Sequence, residues 1–122
     1  MGIMMKSDIC LRRVYELADS SDGTRVLIDR LWPRGLRKAD VILDLWLQEI
    51  APTSELRKWF NHDPSRFEEF SERYRFELAG NPGPVNSLRS LAAKGRVTLL
   101  YAAHDGRFNH AVVLAQYLDA QS

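Results

Sequence analysis

One cysteine, Cys10, stands in a chain of 122 residues. An internal disulfide, a CxxC redox pair and a cysteine-rich zinc site are therefore excluded, and a reducing compartment is expected. There are 3 histidines, His62, His104 and His110. None has the short His-to-His spacing of a metal motif, so neither a metal nor a cofactor is expected. No apolar run approaches the roughly 20 residues that span a bilayer. The first ten residues are too short, and too polar around Lys6 and Asp8, for a secretory leader. These readings point to a cytoplasmic protein with no membrane partner. Excess charge is also lacking: 17 Lys and Arg against 16 Asp and Glu leave a formal +1. That balance gives no global argument for nucleic acid. There is no glycine-rich phosphate loop, dinucleotide fingerprint, serine elbow, internal repeat or low-complexity tract.

What is present suits an ordinary globular protein, with 45% hydrophobic and 27% charged residues. The length fits one domain over residues 1–122, able to bury roughly two-thirds of its unfolded surface. The most informative stretch is residues 25–35, RVLIDRLWPRG. Val26, Leu27 and Ile28 form a short apolar run, as in a strand buried on both faces. Asp29 and Arg30 close it, and Trp32-Pro33-Arg34-Gly35 stops any regular element. Residues 96–103, RVTLLYAA, read as a second buried strand.

Around these two, residues 9–17 are rich in strand formers, and residues 19–23, DSSDG, are a turn by composition. A link this short has no room for a crossover helix. The first two strands are therefore expected to be antiparallel neighbours. Leu43, Trp46, Leu47 and Ile50 recur at helical spacing and predict a helix that Ala51-Pro52 ends. Further helices are expected over Leu56 to Phe60, after Asp63-Pro64, from Pro84 to Gly95, and after Asn109. The sum is an α/β domain with a small, mostly parallel sheet flanked by helices, its first strand antiparallel at an edge. Such sheets bind ligands outside the carboxyl ends of their strands. Those ends are residues 29–35 and 103–110.

Several clusters at these ends could carry chemistry. Arg30 and Arg34, with Trp32, could bind an anion and Asp29 could orient an arginine. The same four residues serve equally well as a buried brace with Trp32 as a plug. His110 is a candidate acid–base group that needs an orienting carboxylate, from Asp29 or Asp105. Asn109 is a helix cap that could also touch a ligand, and His62 is a further ligand candidate. Two functions follow. One is binding of a small phosphate-like or nucleotide-like anion at the strand ends, with catalysis undecided. The alternative is a non-catalytic protein- or nucleic-acid-interaction module using the loop of residues 32–38. The acids Asp40, Asp44, Glu49 and Glu55 offset the basic residues there and weigh against nucleic acid. Oligomeric state is not readable.

Three stretches carry a resemblance: DRLWPRG, the later APTSELRKWFNHDPSRFEEFSERYRFEL, and TLLYAAHD with NHAVVL. Together they resemble the YeaO-like branch of the domain-of-unknown-function family 488, over nearly the whole chain from Val14 to Leu118. The resemblance implies a compact α/β fold and a bacterial or archaeal cytosolic protein, and brings no activity with it. The wider family often ends its last strand in Leu-Leu-Cys and opens its last helix with Cys-His-Arg. Here Tyr101 and Asn109-His110-Ala111 occupy those places, so cysteine chemistry does not carry over and the histidine remains. His104 stands where the resemblance implies a basic residue.

Overall fold

A computed structural model of the protein describes residues 8–120. Four strands, β1 (Ile9–Arg13), β2 (Thr24–Leu27), β3 (Leu45–Trp46) and β4 (Val97–Tyr101), form one sheet in the order β1-β4-β2-β3. Every pairing in it is parallel. The central strand β4 is buried along its whole length, which is why VTLLY alternates no polar face.

The expected antiparallel first strand is corrected by this topology. β1 lies at an edge but runs parallel to β4, which separates it from β2. The link of residues 14–23 needs no helix to cross back. Ten extended residues reach roughly 33 Å. The return along a five-residue strand is about 16 Å, and the two strand spacings add about 10 Å. A 3-10 turn, Ser20–Asp22, ends the link with Asp19 as its cap. Asp22 then ties together the two strands that flank β4: its carboxylate pairs with Arg25 of β2 and lies 3.2 Å from Arg12 Nη2 of β1. Thr98 Oγ1 of β4 donates to the Asp22 carbonyl at 2.7 Å.

The helix expected over residues 43–50 is also corrected. This stretch is β3 followed by a 3-10 turn, Gln48–Ile50. Asp44 N donates to Arg25 O and Leu47 N to Leu27 O, both at 2.9 Å, so the segment is stitched to the β2 edge. Trp46 faces one side of the sheet and Leu47 and Ile50 the other. That split is what a strand produces, and a run this short cannot distinguish the two periods.

The remaining chain forms α1 (Ser54–Phe60), α2 (Phe67–Ala79), α3 (Pro82–Lys94) and α4 (His110–Ala120). All four pack on one face, where Val26, Ile28, Val97, Leu99 and Tyr101 meet Phe60, Phe70, Tyr74, Leu88 and Leu114. On the other face Val14, Leu27 and Leu100 are covered by the loop of residues 29–43, through Trp32, Leu36, Val41 and Leu43, with Trp46 beside them. Starts and stops follow local chemistry. Thr53 accepts from Leu56 N to cap α1, Asp63 accepts from Ser65 N ahead of α2, and Asn109 Oδ1 accepts from Val112 N in the first turn of α4.

Candidate functional site

Because all strands point the same way, their carboxyl ends share one edge. There α4 begins beside the end of β2. Ile28 N adds one more rung to the ladder by donating to Leu100 O at 3.1 Å, and the chain leaves the sheet at Asp29. Asp29 Oδ2 accepts from Ala102 N at 3.2 Å, just past the end of β4. Its other oxygen, Oδ1, lies 3.2 Å from His110 Nε2. The same Nε2 lies 3.1 Å from the Ile28 carbonyl. The two side chains are only 14% and 18% exposed. A carbonyl can only accept, so Nε2 carries a proton. In the neutral ring the lone pair is therefore on Nδ1.

The sequence offered two carboxylates for His110, and the fold places Asp29 against it. Asp105 instead accepts from Arg107 N at 2.8 Å and Phe108 N at 3.1 Å, which holds its carboxyl below the usual range. Asn109 is 2% exposed, and both ends of its amide are engaged, Oδ1 with Val112 N and Nδ2 with the Asp105 carbonyl. Arg30 lies at the same end of β2. Its Nε and Nη2 donate to the carbonyls of Pro52 (3.2 Å) and Ala51 (3.0 Å), which fixes the guanidinium while Nη1 has no protein partner among the described residues.

The other candidates are placed apart from this pair. Trp32 is half-buried, its indole N–H donates to Leu36 O at 2.7 Å, and its ring meets Trp46 edge-on at 5.3 Å. Trp46 Nε1 in turn donates to Asp29 O at 2.7 Å. Arg34 is exposed, and its carbonyl accepts from Tyr15 OH at 2.8 Å, beyond the end of β1. It shares the edge with His110 but sits two strands away. His62 is exposed in a left-handed turn after α1 (φ 54°), its ring 6.4 Å from Phe60. Among the described residues no group of three or more His, Cys, Asp or Glu is arranged to hold a metal ion. No helix among them is long and apolar enough to cross a membrane.

The sequence reading missed Tyr74. It sits on an aromatic stripe of α2 that reads as core, and it is core: fully buried, its ring 6.2 Å from His110 and its hydroxyl donating to Ile50 O at 2.7 Å. Nothing in the stripe separates Tyr74 from Phe70. Burial pushes the phenol well above its ordinary value, and the nearby carboxylates Glu77 and Asp29 add to the shift. A raised native value means that the unfolded chain ionises first, so stability falls as pH rises past about 10. Tyr74→Phe is expected to cost about 1 kcal/mol at neutral pH through the lost hydrogen bond. It should also lose less stability than wild type on going to about pH 10.5. Urea unfolding at the two pH values checks both.

A groove of about 470 Å³ lies elsewhere, lined by Thr53, Leu56, Phe76 and charged residues of α1 and α2. Glu77 in its wall accepts from Thr53 N and Oγ1 at 3.0 and 2.7 Å. The Asp29–His110 pair is no part of it.

The chain is 46% identical over 111 residues to the uncharacterised protein YeaO of Escherichia coli (strain K12), covering 91% of this chain and 96% of that protein. It is 40% identical over 119 residues to an uncharacterised protein of Mycobacterium tuberculosis (strain ATCC 25618 / H37Rv), covering 98% of this chain and all of that protein. No solved structure matches it. A family model, described as the inactive DUF488-N3 subclade, matches residues 8–122, and the chain belongs to that family, DUF488-N3i.

Proposed function

We propose that the carboxyl edge of the sheet binds a small phosphate-like anion, and that the protein works by binding. The observation that carries this reading is the arrangement at the end of β2. There the Arg30 guanidinium is held by two carbonyls with Nη1 left over as a donor, and His110, held through Nε2, offers a second donor at Nδ1 only as the imidazolium. Donors fixed in advance lose little freedom when an anion arrives. The start of α4, where Asn109 Oδ1 already takes Val112 N, adds the positive end of the helix dipole. Asp29, 3.2 Å from His110 Nε2, opposes an anion by charge. The places of the wider family's two cysteines hold Tyr101 and Asn109, and the family is described as inactive; both favour binding over the cysteine chemistry. A single cysteine and the absence of a long apolar helix among the described residues fit a cytoplasmic setting.

The loop of residues 32–38 is the weaker interaction surface, because Trp32 is tied to Leu36 and Trp46 and Arg37 is paired with Asp40 at 3.0 Å. Thermal denaturation in phosphate and sulfate tests the proposal. At about 100 times Kd, an anion that binds only the native state stabilises it by about 2.7 kcal/mol, a rise of several degrees in Tm. The rise should disappear in His110→Ala and shrink in Arg30→Lys. Arg34→Ala should retain it if the anion sits at the β2 end. The absence of any shift with either anion sinks the proposal.

A further inference from the structure

The fixed tautomer of His110 allows more than an electrostatic contact. Nε2 faces only acceptors, Ile28 O at 3.1 Å and Asp29 Oδ1 at 3.2 Å, so the basic electron pair of the neutral ring is held on Nδ1. Nδ1 has no protein partner among the described residues and is not enclosed as an orphaned polar atom. A carboxylate against the N–H of an imidazole stabilises the positive charge that develops when the opposite nitrogen forms a bond. His62 and His104, by contrast, are both exposed, and neither has a carboxylate or carbonyl on its ring among the described residues.

We infer that Nδ1 of His110 is a phosphoryl acceptor, with small high-energy phosphates such as phosphoramidate as the substrate class and Asp29 as the positioning residue. The inference rests on the anion reading of this edge and gives it a chemistry. The Nδ1 electron pair attacks phosphorus, a P–N bond forms to the ring, and the P–N bond of phosphoramidate breaks. Its electron pair leaves with ammonia. The ring becomes a phospho-imidazolium whose Nε2 proton stays hydrogen-bonded to the Ile28 carbonyl, with the Asp29 carboxylate 3.2 Å from Nε2 facing the positive charge. Arg30 lies at the same end of β2, and its Nη1 can take a phosphoryl oxygen.

The experiment is to incubate the native full-length protein with phosphoramidate, map phosphohistidine by mass spectrometry under alkaline conditions, and assign the ring nitrogen by phosphorus NMR. His110 is expected to be modified at Nδ1 at least tenfold faster than His62 and His104 of the same molecule. Asp29→Asn is expected to slow His110 by about tenfold, as loss of an orienting partner does, and to leave the other two unchanged. The comparison among the three histidines needs no variant, so a poorly folding Asp29→Asn does not blunt it. Modification of His110 no faster than His62 and His104, or on Nε2, overturns the inference. Inorganic phosphate separates the two ideas. A thermal shift without modification leaves anion binding standing and removes the phosphoryl acceptor. Modification without a shift does the reverse.

Discussion

Arg25→Ala is expected to lower the free energy of unfolding by about 3 kcal/mol, the scale seen when one partner of a buried ion pair is removed. Arg25 is 4% exposed and Asp22 3%. The Arg25 guanidinium pairs with Asp22 and donates to Ile42 O at 2.6 Å. Truncation leaves that carbonyl without its donor and leaves Asp22 with Arg12 as its remaining cation. Urea unfolding at neutral pH measures the loss, and a change within 0.5 kcal/mol, about the scatter of a surface substitution, would show the cluster to be dispensable.

The same cluster sets a dependence on acid. The Asp22 carboxyl is held below its ordinary value first by the Asp19 backbone N–H, then by the hydrogen bond from Arg25 and the charge of Arg12, with burial opposing. A depressed native value means that the unfolded chain binds more protons near pH 4, so stability rises with pH there. The contribution is complete above the unfolded value of about 3.9 and is lost as pH falls through the lower native one. Asp19, Asp63 and Asp105 shift the same way through bonds from their own turns. Wild type should therefore lose stability steadily below about pH 4. Arg25→Ala, already without part of this term, should show a shallower slope.

Gly23→Ala should be at least as damaging, at about 3 kcal/mol, from strain and collision together. Gly23 has φ 67° and ψ −137°, a region closed to residues with a Cβ. A Cβ built there falls 2.2 Å from the Arg96 carbonyl oxygen. That oxygen accepts the first rung of the β2–β4 ladder, from Thr24 N at 2.9 Å, so neither backbone can yield without opening the sheet. Gly35 is the internal control. Its φ is 82°, yet nothing lies within 4 Å of a Cβ, so Gly35→Ala should cost only the backbone term, about 1 kcal/mol. Equal losses for the two variants would refute the collision argument.

The legible parts of this chain were those where one local pattern had one outcome. Val26-Leu27-Ile28 and the run from Val97 to Tyr101 lack a polar face, and both became buried parallel neighbours. Asp63 and Asn109 have side chains that satisfy helix N–H groups, and each sits at a helix start. The misread parts had two outcomes. Leu43, Trp46, Leu47 and Ile50 fit a helical period, but bonds from Asp44 and Leu47 to β2 make the segment an edge strand. The ten-residue link before β2 reads as a hairpin until β4, more than seventy residues later, is seen to lie between its strands.

The amino-acid sequence by itself determined that this is an α/β chain with a single cysteine, with its polar residues gathered after two apolar strands. Those features depend on composition and on spacing within a few residues. Only the tertiary structure decided that Asp29 and not Asp105 meets His110, that Arg30 rather than Arg34 shares its end of the edge, and that Tyr74 lies beneath. Those pairings join positions tens of residues apart, and they follow from strand order, which is set by the packing of the whole sheet and by no single stretch of chain.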